Sequence, residues 1–400
     1  MPASEIQNET DFNAVNPRED TGVSRFPWRR VVIFLTVFTT VTLSANWLVC
    51  ATWNYFMGNE EVPAWQFVPP LLTMTFIACV FLGRRYSNPG LRVAYRVAAV
   101  WMGVLNFSVF ASLGAWVVLG VVAVLWLPVE PKFIGATFFG GAALASVYGF
   151  VNASWLRITR VTVKLQNLPA AWNGKNAALV TDMHLGNVRG AGFTRKVVQK
   201  IRELQPEAVF ISGDMFDGVE ADFDALLEPW KSLSVSAGIY YVSGNHEEFE
   251  DRAKFLDAVN RAGIRVLNNE KIESHGLQIV GIHDGETHEP ELYKSLLQRA
   301  ELDPNRASVL LAHQPKNLAI PAGEGVALQL SGHTHSGQIW PWHWLAARVH
   351  GKFVYGLHRF QEMQVLTSSG AGTWGIPMRA GTKSEIVLVR FEAESIAQPY

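Results

Sequence analysis

The 400-residue sequence predicts two parts in series, an N-terminal α-helical transmembrane region and a C-terminal α/β domain. Three observations predict this. Uncharged apolar runs of about 20 residues recur before residue 155, each long enough to cross ~30 Å of hydrocarbon as a helix. Beyond Arg160 the pattern changes to short apolar runs alternating with charged, helix-like stretches, as in a domain of strands and helices. Five of those short runs end in clusters of Gly, Asp, Asn and His, which suit a polar site rather than a core.

The first span is expected over 31–53, preceded by Arg29 and Arg30. That arginine pair also fits a twin-arginine export signal, but the run is long for a cleavable segment and no small-residue cleavage site ends it. A second span covers 65–82, with Pro69 and Pro70 near its start, where missing N–H groups cost least. The third uncharged run, 97–129, reads as one long or tilted span, with a hairpin at Gly114 as the alternative. A fourth, 134–153, is rich in Gly and Ala, which permit close helix packing. Basic residues accumulate in short cytoplasmic flanks. Four spans put Arg25, Arg29, Arg30, then Arg84, Arg85, Arg92, Arg96, and finally Arg157, Arg160, Lys164 on one side, with Glu60 and Glu61 opposite. The expected organisation is therefore a flexible cytoplasmic tail over 1–28, a transmembrane region of about four helices over 29–154, and a C-terminal domain over 155–400 facing the cytoplasm from an inner or plasma membrane.

Charge and composition exclude some partners. Lys+Arg total 34 and Asp+Glu 35, a net charge of −1, so no basic surface for nucleic acid is expected. Only 17% of residues are charged, below the ~25% of soluble domains, which fits a chain partly in lipid. Cys50 and Cys79 lie in apolar stretches without metal-like spacing, so neither a disulfide framework nor a thiolate site is expected.

The five run ends carry the chemistry. Asp182 and His184 follow the run 177–180, and Gly213, Asp214, Asp217 and Gly218 follow 208–211. Gly244, Asn245, His246 and Glu247 follow 240–242; His313 follows 309–312; Gly332, His333, Thr334 and His335 follow 328–330. Imidazole, carboxylate and amide donors together suit manganese, iron or zinc. In Asp-x-His or His-x-His at a strand end, alternate side chains share a face and can converge on one ion. Each motif alone is ordinary, since Gly-Asp is commonly a turn and a lone His commonly structural. All five at strand ends call for a common cause.

Together these motifs resemble the full set of the calcineurin-like metallophosphoesterases, over roughly 156–391, and the tail from Gly370 to Arg379 resembles the membrane-anchored branch of that family. The resemblance implies an α/β metallophosphoesterase domain, a two-sheet β-sandwich flanked by helices. It implies two divalent ions, one held by Asp182, His184 and His335, the other by Asn245, His313 and His333, with Asp214 bridging. It further implies hydrolysis of a phosphomonoester, phosphodiester or pyrophosphate bond by metal-bound hydroxide, with His246 donating to the leaving oxygen. Glu247, orienting His246, and Asp217, shaping the ligand loop, are expected in supporting roles. The expected partners are a phosphate-ester substrate and the lipid bilayer, and the spans suggest by analogy a lipid-linked substrate. A protein phosphatase and an inactive membrane-tethered binding or sensory protein are the alternatives. Four features stay open. The run from Trp340 to Trp344 fits either a bilayer contact or core packing; Arg379 fits a phosphate clamp or a structural role; His283-Asp284 fits a supporting role or plain structure; His343, His350 and His358 are not expected as ligands.

Overall fold

The computed structural model describes residues 28–59, 63–249 and 252–394. The expected tail thus falls, through residue 27, outside the described residues, as do Glu60 and Glu61. The chain divides into two compact units, Met1–Ser44 and Ala45–Tyr400.

Helix α1 (Trp28–Met57) begins in the first unit and ends in the second. In the first unit Val32, Ile33, Phe34, Val37 and Val41 are all exposed, an arrangement hydrocarbon stabilises and water does not. In the second unit the chain continues through α2 (Val68–Leu82), α3 (Pro89–Val124) and α4 (Pro131–Ser154). Among the described residues four helices, these included, are long and apolar enough to cross a membrane. Between them, polar groups are paired. Asn46 Nδ2 donates to Thr73 Oγ1 at 2.9 Å, Trp101 Nε1 to Asn46 Oδ1 at 3.2 Å and Trp116 Nε1 to Thr52 Oγ1 at 3.0 Å.

The third helix differs from its expected bounds. It starts at Pro89, where the Asn88 side chain caps the Leu91 amide at 2.8 Å, so Arg92 and Arg96 lie within it. Arg96 is exposed and also ties the helix to the domain: its Nε donates to the Asn187 carbonyl at 2.7 Å. No hairpin forms at Gly114: the helix runs through it, and the missing side chain lets the Phe138 ring of α4 pack against the backbone.

Helix α4 ends against the following domain, which completes its last turn. The orphan carbonyl of Ala153 accepts from Ser384 Oγ at 3.0 Å and Arg189 Nη2 at 2.9 Å, that of Ser154 from Lys196 Nζ at 2.6 Å. Asn152 Nδ2 donates to the Arg379 and Thr382 carbonyls, each at 2.9 Å.

Twelve strands follow among the described residues: β1 (Arg157–Leu165), β2 (Asn176–Val180), β3 (Ala208–Ser212), β4 (Ile239–Val242), β5 (Arg265–Val266), β6 (Glu270–Ser274), β7 (Leu277–Gly281), β8 (Ser308–Leu311), β9 (Leu328–Ser331), β10 (Gly356–Phe360), β11 (Met363–Thr367) and β12 (Glu385–Ala393). They form two six-stranded sheets, ordered β1-β12-β2-β3-β4-β5 and β10-β11-β9-β8-β7-β6. In the first, β2, β3, β4 and β5 run parallel; in the second, β7, β8, β9 and β11 do. Alternation along each strand fills both sides of its sheet. In β2, Ala177 and Leu179 face the other sheet, packing with Phe210, Ile279, Val309 and Leu330, while Ala178 and Val180 face the helix Ala191–Leu204 through Val197 and Ile201. On the far side of the second sheet, Val280 and Leu310 pack on Tyr293 and Leu297 of the helix Pro290–Arg299. The result is the expected β-sandwich between helices, and it brings the C-terminal ends of β2, β3, β4 and of β7, β8, β9 to one edge.

Candidate metal centre

The expected site residues meet at that edge. Asp182 and His184 leave β2, Asp214 leaves β3, Asn245, His246 and Glu247 leave β4, His313 leaves β8, and His333 and His335 leave β9. Five of them, Asp182, His184, Asp214, His333 and His335, hold left-handed backbone with φ between 48° and 68°. Non-glycine residues adopt this region at a cost of about 1–3 kcal/mol each, and such outliers gather where a site dictates the geometry. Gly213, with φ of 82°, has no alternative side chain: a Cβ there would stand 2.7 Å from both the Gly244 Cα and the His313 Nδ1.

Three groups of donors form among the described residues, each with its atoms within 4.8 Å of one another: Asp182, His184 and His335; Asp214, His313 and His333; and His184, Asp217 and His246, which shares His184 with the first. In the first, His335 Nε2 is 3.4 Å from Asp182 Oδ1 and 3.0 Å from His184 Nε2. In the second, Asn245 Oδ1 is 3.2 Å from His313 Nε2 and 2.8 Å from His333 Nδ1. Asp214 Oδ2 stands between them, 3.7 Å from His184 Nε2 and 3.2 Å from His313 Nε2. Its other oxygen accepts from the His246 amide at 3.0 Å.

The donor set fits divalent cations. Behind His184, Asp217 Oδ1 lies 3.3 Å from Nδ1, which leaves Nε2 as a lone pair aimed into the group. Two imidazole nitrogens 3.0 Å apart then need a positive charge beside them. His313 is fixed similarly: its Nδ1 donates to the Ser212 carbonyl at 2.8 Å and Nε2 faces Asn245 and Asp214. All these residues are buried except Asp217, Asn245 and His333, which are half-buried.

Electrostatics follow from burial. Desolvation raises the Asp182 carboxyl. Desolvation would raise Asp214 too, but His313 and His246 hold it well below the usual carboxylate range. Burial lowers His184, yet Asp217 and Asp214 raise it on balance. Burial pushes His333 down to about 3.

The two supporting residues behave differently. Asp217 reaches both imidazoles, with His246 Nδ1 3.8 Å from the oxygen that faces His184. Glu247 is fully buried, and its contacts are backbone amides: Gly244 at 2.7 Å, Asp214 at 3.1 Å and Phe216 at 2.8 Å. The carboxylate ties the loop after β3 to the loop after β4, where the sequence suggested an orienting partner for His246. Burial, with Asp214 adding to it, pushes Glu247 up to about 8, against which these three amides act.

His246 packs its ring edge-on to His184, with centroids 4.7 Å apart, and Trp374 lies 6.1 Å beyond it. His283 is structural: Nδ1 accepts from the Ser243 amide at 3.0 Å, and burial lowers it to about 4. Asp284 accepts from Gln314 Nε2 at 3.1 Å. Of the three histidines not expected as ligands, His350 has its ring 6.0 Å from that of His333.

Arg379 is one of the residues whose role the sequence left open. It is fully buried and holds backbone: Nη2 donates to the Ser369 carbonyl at 2.5 Å and the Gly372 carbonyl at 2.7 Å, and Nη1 to the His335 carbonyl at 3.3 Å. It is a strut under His335, not a clamp open to phosphate. Glu385, also buried, does similar service for the Ser369 amide at 3.0 Å, and no short motif marks it.

Residues 176–337 match the family model of the calcineurin-like phosphoesterases. An uncharacterized metallophosphoesterase of Helicobacter pylori is 33% identical over 219 residues, covering 53% of this chain and 58% of that protein. A zebrafish (Danio rerio) transmembrane protein with metallophosphoesterase domain is 32% identical over 264 residues, covering 61% of this chain and 59% of that protein. The chain thus spans less than two thirds of the length of these relatives. Among solved structures, a dimetal phosphatase from Danio rerio aligns at 12% identity with a TM-score of 0.34, covering 51% of this chain and 89% of that one.

Proposed function

From a chain that carries a calcineurin-like phosphoesterase domain over residues 176–337, we propose a membrane-anchored hydrolase that cleaves a phosphomonoester, phosphodiester or pyrophosphate bond with two divalent ions. The single observation that carries this is the position of Asp214 Oδ2 between two donor groups, each with two histidines, one group buried and the other opening at the mouth through His333.

Asp182, His184 and His335 would hold one ion, Asn245, His313 and His333 the other, and Asp214 both. Manganese, iron and zinc all suit these donors. Bound there, the ions would supply Lewis acidity to the phosphoryl oxygens and a lowered pKa for water. The protein's own groups do the rest. Asp217 fixes the His184 ring, the Ser212 carbonyl fixes that of His313, and Glu247 locks the two loops that carry Asp214 and Asn245. His246 contributes its backbone amide to Asp214 and turns Nδ1 toward Asp217, so Nε2 is the atom that hands a proton to the leaving oxygen. A phosphate carried on a lipid headgroup is the substrate class best matched to a centre beside apolar helices.

The test is hydrolysis of an aryl phosphate, a bis-aryl phosphate and inorganic pyrophosphate by the full chain in detergent with manganese. Turnover of at least one, abolished by a chelator and restored by added manganese, is expected; no turnover of any of the three under any divalent ion would sink the reading. The basic residues Arg29, Arg84, Arg85 and Arg157 support a cytoplasmic catalytic domain by the positive-inside rule. A reporter fused to the C-terminus should read as cytoplasmic, and a periplasmic signal would reverse that side.

A further inference from the structure

The helix Trp342–His350 has no buried residue. His343, Ala346 and His350, spaced three and four apart, are half-buried against the domain. Its outward side carries Trp342, Trp344, Leu345 and Val349, 52%, 62%, 56% and 70% exposed, with Arg348 and the following Lys352 exposed among or beside them. A contiguous apolar face of this kind on a water-soluble surface would be an aggregation liability.

Its placement says what covers it. Trp342 Nε1 donates to Asn106 Oδ1 of α3 at 2.9 Å, Asn106 Nδ2 donates to the Trp340 carbonyl at 3.1 Å, and the Phe110 and Trp340 rings are 4.8 Å apart. Arg96 is the last charge before this contact, ten residues or about 15 Å earlier along α3. From Asn106 to the helix end at Val124 there are eighteen residues, about 27 Å, close to the ~30 Å of a hydrocarbon core. Helix α4 measures the same depth independently. Gly149 packs on Met378, as Gly103 of α3 does; from that shared contact eighteen residues reach Pro131 at the far end of α4 and twenty-one reach Val124 at that of α3, about 27 and 32 Å. Both helices therefore project about one bilayer thickness beyond the domain, and the tryptophan-rich helix starts at the level where they leave it.

The same segment borders the centre. Gln338 Nε2 donates to the Trp374 carbonyl at 3.0 Å, and Trp374, 59% exposed, stands next to His246. At the other end, His350 stands next to His333.

We propose that the helix Trp342–His350 lies in the phospholipid headgroup layer, with its Trp, Leu and Val side chains in the acyl boundary and Arg348 at the phosphates, so that the centre takes its phosphate from the membrane surface and not from bulk water. The seat in lipid stands on its own geometry; the substrate route rests on the function proposed above.

The experiment uses the full chain, with Cys50→Ser and Cys79→Ser, in nanodiscs of phosphatidylethanolamine and phosphatidylglycerol. Nitroxides are attached through Leu345→Cys and Val349→Cys, with Glu203→Cys as a water-exposed control. Labels at 345 and 349 should collide preferentially with oxygen and be shielded from a water-soluble nickel complex, the reverse of 203. Labels at 345 and 349 as open to nickel as 203 would overturn the proposal and leave the face to water, a protein partner or a second copy. A second measurement needs no label. Leu345→Asp with Val349→Asp should lower hydrolysis of a diacyl-anchored aryl phosphate in vesicles by about tenfold, with the soluble bis-aryl phosphate rate unchanged. An equal fall in both rates would also overturn it. If the unaltered chain hydrolyses neither probe, the function fails while the label depths still decide the seat.

Discussion

Asp214→Asn is expected to lower hydrolysis of an aryl phosphate by about 10³-fold or more, the equivalent of about 4 kcal/mol of transition-state stabilisation. The side chain is buried between two donor groups, and one oxygen is 3.7 Å from His184 and 3.2 Å from His313. Asparagine keeps the shape and can still accept from the His246 amide through an oxygen. It removes the charge both groups share, and its NH₂ would meet histidine nitrogens that are themselves needed as donors to a cation. The loss should therefore be chemical and not structural. Steady-state kinetics and circular dichroism check this: a near-normal rate in a folded variant would show that Asp214 is dispensable.

His246→Asn should behave differently. A drop in kcat of about 10²–10⁴-fold is expected, with the metal content kept, because general acids contribute on that scale. The His246 ring stands with Asp217 and Trp374 at the edge of the first donor group, and the tie from residue 246 to Asp214 is a backbone amide that asparagine retains. KM should stay within a few-fold of the unaltered protein. Loss of bound metal in this variant would instead make His246 a ligand, a reading open to it because His184, Asp217 and His246 also place donors within 4.8 Å of one another.

Much of the centre was legible because its residues directly follow short apolar runs. A strand end fixes where a side chain can be, so Asp182, Asp214, Asn245, His313 and His333 could be named from local sequence. What was not legible depends on atoms far away in sequence. Arg379 acts on the carbonyls of Ser369, Gly372 and His335, and Glu247 on the amides of Asp214 and Phe216. Backbone partners leave no residue-type signature. The helix bounds of α3 are hidden for a related reason. The uncharged run begins after Arg96, but the helix itself begins at Pro89, with Arg92 and Arg96 inside it, and Arg96 bonds the distant Asn187 carbonyl. The tryptophan run remained ambiguous between core and bilayer because only the folded helix separates its half-buried face, His343, Ala346 and His350, from its exposed one. The left-handed backbone at Asp182, His184, Asp214, His333 and His335 is likewise invisible in sequence, since nothing in those residue types demands it.

The central claim is a centre for two ions sharing Asp214. The measurement closest to it is the metal content of the full chain, purified without chelator after growth with manganese, iron and zinc, by elemental analysis against protein concentration. Two divalent ions per chain are expected for the unaltered protein and fewer for Asp214→Asn. One ion or none in the unaltered protein, or two still held by Asp214→Asn, would contradict the account.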